Sequence, residues 1–257
     1  PGSVQARRPF PDYGAIIWDD NGAPSNYNGL SIRLQKRFSR GLSFLTSYTW
    51  SHNLDIWSTE RGGTNGGPEN PRNWRPDYAT SSADIQHVFL WNSVYELPFG
   101  RGKAHLNHGI GQAILGNWEW SSILSLYGGQ PINVTLGFDN ASTGTAGGQR
   151  PNLVGNPGLA NPTRLQWFNR AAFAAPPQLT FGNAGRNILR GPGQTNYDTS
   201  IMKNFPVGER WKVQFRTEFF NAFNLVNFNN PNTNFSSPSF GVITSAKASR
   251  SIQFSLK

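Results

Sequence analysis

Near the C-terminus, Trp211, Val213, Phe215, Thr217 and Phe219 alternate with Lys212, Gln214, Arg216 and Glu218. Successive side chains of a β-strand point to opposite faces, so this spelling sets an apolar, aromatic face against a charged one. Strands in soluble domains are mostly shorter, about five to six residues. A strand that crosses a bilayer needs about 9–11 residues with one face for lipid and the other for a wet lumen. The segment therefore constrains the chain to strands that separate two solvents.

The same division recurs along the chain. A first strand is expected over 27–38, with Leu30, Ile32 and Leu34 facing away from Ser31, Arg33, Gln35 and Arg37. Ser39-Arg40-Gly41 reads as a tight turn into a second strand over 42–52, where Leu42, Phe44, Thr46, Tyr48 and Trp50 share a face. Further strands are expected over 84–97, 114–127, 195–205, 209–222 and 249–257. In the third, Phe89, Trp91, Tyr95 and Leu97 lie on one face, but Val88, Leu90 and Val94 lie on the other, so its orientation stays open. In the fourth, Trp118, Trp120, Ser122, Leu124 and Leu126 share a face; in the fifth, Tyr197, Thr199, Ile201, Lys203 and Phe205 do. A bend at Gly128-Gly129 would precede Ile132–Leu136, and Leu165–Ala172 could hold one helical turn.

The connections alternate in length. Those after strands one, three and five are short or modest, with residues 101–113 as a modest link and Pro206-Val207-Gly208 as a turn. Those after strands two, four and six are long and rich in Gly, Asn and Pro, over 53–83, 137–194 and 223–248. A structureless stretch as long as 137–194 is unusual inside a compact domain and ordinary for the outer loops of a membrane barrel. The fold class expected is all-β: an antiparallel transmembrane β-barrel segment of about seven long strands, with short periplasmic turns and long extracellular loops. Residues 1–26 read as a loop and 27–257 as barrel strands and loops. Trp and Tyr near strand ends would occupy the interfacial girdles.

Composition fits this reading. There is no run of about 18 apolar residues, so no transmembrane helix. A mean hydropathy of −0.50 does not count against a barrel, because only every second strand residue meets lipid. The 28 Gly and 18 Pro suit many turns and long loops. Cysteine is absent, which is compatible with passage through an oxidising compartment. The net charge of +9 is dispersed, with short clusters such as Arg33, Lys36, Arg37 and Arg40, and no basic helix or nucleic-acid motif accompanies it, so no nucleic-acid partner is expected. Positive charge on a lumen wall or rim would instead favour anionic solutes or lipid headgroups. Pro1-Gly2-Ser3 carries no signal region, and the chain is expected to derive from something longer.

Several stretches resemble the C-terminal barrel region of TonB-dependent outer-membrane receptors, of the Oar-like branch with a carboxypeptidase-regulatory-like N-terminal domain. They are Tyr27-Asn28-Gly29-Leu30 through Phe38, Gly41-Leu42-Ser43-Phe44 through Ser51, and Tyr95-Glu96-Leu97-Pro98-Phe99-Gly100. Arg190-Gly191-Pro192-Gly193, Phe215-Arg216-Thr217-Glu218-Phe219-Phe220-Asn221, Phe240-Gly241 and Arg250-Ser251-Ile252-Gln253-Phe254 complete the set in family order. The resemblance implies a barrel of about 22 strands closed around an N-terminal plug, with uptake of a solute driven through TonB. Seven strands are too few for that, and no plug, TonB-contacting segment or aromatic terminal residue is present. The partners it implies are outer-membrane lipid, the missing N-terminal barrel and plug, TonB acting through that plug, and an unidentified solute. The location it implies is the bacterial outer membrane.

Chemistry is sparse. No catalytic residue, cofactor site or metal site is assigned, and no enzyme activity is expected. His105-x-x-His108 could meet on a helical turn, but no Cys and no nearby carboxylate supports a metal, and a solvated loop pair is favoured. Asp19-Asp20-Asn21 and Asp139-Asn140 lack the alternating ligand spacing of a calcium loop and read as turn formers. The glycine pairs at 62–63, 66–67, 128–129 and 147–148 precede no amphipathic helix, so no phosphate cradle is expected. Asn133-Val134-Thr135 and Asn140-Ala141-Ser142 match the glycosylation sequon, which carries little meaning in a bacterial envelope protein. Lumen-facing Lys212, Arg216 and Glu218 are the candidate solute contacts; the competing reading is that they bond to neighbouring strands or the plug. Two alternatives to a transporter remain: a soluble β-sandwich binding glycans through exposed Trp and Tyr, and a structural or adhesive surface barrel.

Overall fold

A computed structural model of the chain describes residues 3–13, 22–58, 68–70, 72–100, 102–106, 108–144, 148–207 and 211–257. Seven long strands form one antiparallel meander: β1 (Ser25–Ser39), β2 (Leu42–Asp55), β3 (His87–Glu96), β4 (Trp118–Tyr127), β5 (Gln194–Val207), β6 (Trp211–Phe220) and β7 (Ser251–Leu256). Each pairs with its predecessor and successor in sequence, and a two-residue strand, Ala79–Thr80, adds to the outer end of β2. The sheet stays open, with β1 and β7 as its edges among the described residues. Elsewhere the described residues hold only two-residue ladders, so no second sheet stacks on the first and the sandwich alternative is set aside.

The register carries one apolar face across the whole sheet. Leu30 lies opposite Trp50, Tyr48 opposite Phe89, Trp91 opposite Leu124, Leu124 opposite Tyr197, and Trp120 opposite Ile201. The face continues through Thr217 opposite Phe254. This settles β3: Phe89, Trp91 and Tyr95 belong to the apolar face, while Val88, Leu90 and Val94 face the lumen. Apolar side chains on the first face stay open to the surroundings, with Leu34 58% and Phe254 68% exposed. Water would penalise that exposure; a bilayer favours it.

Polar groups on the apolar face find partners at once, as hydrocarbon demands. Ser93 Oγ and Ser122 Oγ share a buried hydrogen bond of 2.8 Å. Thr46 Oγ1 donates to the Leu90 carbonyl, and Trp120 Nε1 donates to Thr199 Oγ1, which donates on to the Ser121 carbonyl. Phe44 stacks on Trp91 with ring centroids 4.9 Å apart.

The β1–β2 turn is as tight as the sequence implied. Arg40 and Gly41 both take positive φ, of 52° and 80°, the signature of a two-residue hairpin turn matched to strand twist. Several boundaries differ from expectation. β1 begins at Ser25, inside the stretch read as loop, and β2 runs on to Asp55. The fourth strand starts at Trp118, because Gly109–Leu115 forms a short α-helix, α1. The third connection is therefore 97–117 and longer than the other turn-end links. β6 stops at Phe220, since Asn221 takes a φ of 50° and leaves the strand. Asp19-Asp20-Asn21, the glycine pairs at 62–63 and 66–67, and Gly208 lie outside the described residues.

The largest departure is at the long-loop end. The loops after β2, β4 and β6 fold together as a cap. Short ladders join Pro131–Ile132 to Leu189–Arg190 and Asn152–Leu153 to Phe173–Ala174. The helical turn expected over 165–172 is a single 3-10 turn, Arg170–Ala172. The hydrophobic core of the protein sits in this cap, built from Ile132, Val134, Phe168, Ala172, Phe173, Ala184, Leu189 and Phe240. Phe240 is its hub, meeting Phe168, Phe173 and Phe235 edge-on at 5.0, 5.8 and 5.6 Å between centroids.

Candidate functional site

Within the cap, three arginines of the loop after β4 tie it to the loop after β2. Arg150 is 2% exposed and lies between two buried acids. Its Nη1 reaches Asp77 Oδ1 at 2.6 Å and its Nη2 reaches Glu69 Oε2 at 2.7 Å. Its backbone N–H also donates to Glu69 Oε1 and its Nε to the Ala184 carbonyl, both at 2.8 Å. All three guanidinium nitrogens therefore have a partner, which is what makes a buried charge tolerable. Arg186 bonds Asp55, the Asp77 carbonyl and Ser58 Oγ. Arg190 reaches Asp84 Oδ2 at 2.6 Å and the Gly129 carbonyl at 3.1 Å. Asp84 also accepts from the Asn53 amide at 2.7 Å, so the chain of contacts ends on β2 itself.

Electrostatics follow from these surroundings. Burial pushes the Glu69 carboxyl above its ordinary value, against the pull of the Arg150 amide and guanidinium. Asp139 moves the other way: burial alone would raise it, but the amides of Thr143 and Gly144 and the side chains of Gln149 and Thr143 donate to it and hold it below the ordinary range. Those donors occupy both carboxylate oxygens, so Asp139-Asn140 closes a turn, and Asn140 Nδ2 donates to the Pro177 and Thr180 carbonyls. Among the described residues no group of three or more His, Asp or Glu is placed to hold a metal. His105 pairs with Phe99 in an isolated bridge, and His108 precedes α1, so the two do not share a helical turn.

Close backbone approach locks the cap to the strands. A Cβ at Gly129 would stand 1.9 Å from the Gly191 carbonyl oxygen, and the Gly191 amide donates to the Gln130 carbonyl. At the long-loop end a cleft of about 720 Å³ opens between Pro24, Ile56, Arg72, Asn73, Trp74, Arg75 and Tyr78. Its wall combines aromatic faces with two guanidinium groups, an arrangement suited to planar or sugar-like solutes bearing negative charge.

The sequence-predicted contacts lie elsewhere, on the lumen wall. Arg216 sits opposite Met202 and Ser255, and Glu218 opposite Ser200 and Gln253. Arg216 reaches Glu218 Oε1 and Gln214 Oε1, both at 3.4 Å, and Gln214 donates to Asn204. Lys212 lies opposite Pro206 near the short-turn end, away from this pair. Around the polar row the same wall carries an apolar patch: Leu45 and Ile123 flank Asn92, with Leu90 and Val94 beside them. The sequence reading missed both the arginine ties and the aromatic cleft. The only local hint of the latter was the Arg72–Tyr78 density of Arg and aromatic residues inside a polar loop.

An open meander with one membrane-facing side, a wet side and its long loops gathered at one end is the wall of an outer-membrane barrel. The family model for the outer membrane beta barrel domain matches residues 1–253, and the chain belongs to that family. The protein is thereby placed in the bacterial outer membrane. No curated protein and no solved structure matches the chain.

Proposed function

We propose that this chain forms part of the barrel wall of a TonB-dependent outer-membrane receptor of the Oar-like type. The cap captures a solute outside the cell, and a plug within the lumen is rearranged by TonB to pass it inward. The observation that carries this reading is the apolar patch of Leu45, Leu90, Val94 and Ile123 on the lumen side. A water-filled pore gains nothing from an apolar wall, whereas a protein plug covers one. The open edges β1 and β7 support further strands, because unpaired edges are not tolerated in lipid. The family-like motifs also fall at structural joints, such as the Gly41 turn and the Gly191 contact with Gly129.

In this scheme Arg72, Trp74, Arg75 and Tyr78 make first contact, and Arg216 and Glu218 line the path below. No residue performs covalent chemistry. The test is ionic conductance of the full-length protein in planar bilayers, with binding of purified TonB C-terminal domain measured alongside. Negligible steady conductance together with TonB binding supports the reading. A wide, permanently open channel that ignores TonB replaces it with a porin-like or adhesive barrel.

A further inference from the structure

We propose that residues 108–116, clamped by Lys203, form a lipid anchor seated among the anionic phospholipid headgroups of the periplasmic leaflet. This rests on the outer-membrane barrel alone and is independent of TonB-driven uptake. Lys203 is a cation on the wrong side of the sheet. It lies opposite Trp118 and Phe215, in line with Ile201 and Phe205, so the register puts it on the membrane face. Yet it is only 5% exposed.

Helix α1 covers it. Lys203 Nζ donates to the carbonyls of Ala113 and Ile114 at 2.7 and 2.5 Å, in the last turn of the helix where carbonyls lack helical partners. The ammonium also stands 5.1 Å from the ring centroids of both Trp118 and Phe205. Trp118 Nε1 donates to the same Ile114 carbonyl at 3.0 Å. Three hydrogen bonds thus fasten the helix end to the outside of the sheet, and the two ring contacts hold the ammonium in place, at the end where the chain turns toward the periplasm.

What the helix presents outward is apolar. Ile110 is 80%, Ile114 60% and Leu115 50% exposed, and Trp211 nearby on the same face is 78% exposed. Facing the periplasm these groups would be a liability, whereas the headgroup–acyl boundary accepts an amphipathic helix of this kind. Charge selects the lipid. Lys36, opposite Phe44 on the membrane face, and Arg40, in the β1–β2 turn, lie at this end of the sheet, whereas Glu96 and Glu119 lie opposite each other on the lumen side and Glu96 is paired with Lys103. Cations on the membrane side of this end fit an anionic phospholipid better than a zwitterionic one.

The absence of cysteine from this chain makes the test direct. Ile110→Cys, Ile114→Cys and, as a water-exposed control, Val154→Cys are made in the full-length protein otherwise free of cysteine. Each is labelled with bimane and reconstituted in phosphatidylethanolamine–phosphatidylglycerol bilayers. Labels at 110 and 114 are expected to be quenched by phospholipid spin-labelled near the headgroup and shielded from iodide, with the phosphatidylglycerol quencher about twofold or more stronger than its phosphatidylcholine counterpart. Lys203→Gln is expected to remove that lipid quenching while the barrel keeps its folded, heat-modifiable mobility. Labels at 110 and 114 that behave like the one at 154 overturn the anchor. Equal quenching by both phospholipids overturns the anionic selectivity, and an unchanged depth in Lys203→Gln overturns the clamp.

Discussion

At the scale of single residues, Arg150 holds the most. It is 2% exposed and lies between Glu69 and Asp77. Truncating it strands two buried carboxyl groups, and removing one partner of a buried ionic network costs about 3–5 kcal/mol. Arg150→Ala is therefore expected to unfold the cap while leaving the strands intact. Limited proteolysis within 137–193 should become fast, and the barrel should keep its heat-modifiable migration; an unchanged cleavage rate would show that the ion pairs are dispensable. The two shifted carboxyl groups act in opposite directions on acid stability. Glu69 has its proton affinity raised in the folded state, so its contribution falls as pH rises from its ordinary 4.5 through the raised value. Asp139 has its affinity lowered, so its contribution is complete above the ordinary 3.8 and is lost as pH falls through the depressed value. Asp139→Asn is expected to remove that acid limb, leaving a cap that is weaker at neutral pH and less sensitive to acid. Proteolytic resistance of the cap followed across that range reads the difference directly.

At the scale of elements, the strands and the cap were legible to very different degrees. A lipid-facing strand has its partner prescribed by the solvent, so alternation alone located β1, β2, β5, β6 and β7 within a few residues. β3 resisted because Val88, Leu90 and Val94 make its lumen side apolar too, and only pairing with β2 and β4 orients it. Helix α1 resisted for a different reason: seven residues with Gly109 and Gly111 among them are too few to show a helical period, and Ile114 and Leu115 prolonged the pattern of β4. The cap left little local trace beyond the helical turn at Arg170–Ala172 and the Arg72–Tyr78 run. Its ties join residues far apart in sequence, such as Glu69 with Arg150 and Asp55 with Arg186, and its core residues are spread from Ile132 to Phe240 with no regular period. A loop-like composition concealed a packed unit. Phe240 tests that unit independently of charge. Replacing a buried Phe by Ala costs about 3–5 kcal/mol, and three aromatic partners lose their contact at once. Phe240→Ala is expected to melt the cap at a lower temperature, seen as early loss of near-ultraviolet circular dichroism ahead of the barrel transition. A single coincident transition in both proteins would mean that cap and barrel unfold as one unit.

At the scale of the whole molecule, the orientation in the membrane follows from the asymmetry of the ends. The described residues of the loops after β2, β4 and β6 form the cap at one end, and the two-residue turn at Arg40-Gly41 and α1 lie at the other. Outer-membrane barrels keep short turns on the periplasmic side and long loops outside, which puts α1 toward the periplasm and the cap outside the cell. A cap with its own aromatic core and buried ion pairs is stable in water and needs no bilayer, whereas α1 with its exposed isoleucines is not suited to open water. Both ends therefore prescribe the same direction. Val154→Cys in the cap and Ala104→Cys in the β3–β4 link, each in a background otherwise free of cysteine, convert that direction into an accessibility measurement on intact cells. A membrane-impermeant maleimide is expected to label position 154 at once and position 104 only after the outer membrane is permeabilised. The reverse pattern would invert the barrel, take the Arg72–Tyr78 cleft out of reach of external solutes, and leave α1 among the lipids of the outer leaflet.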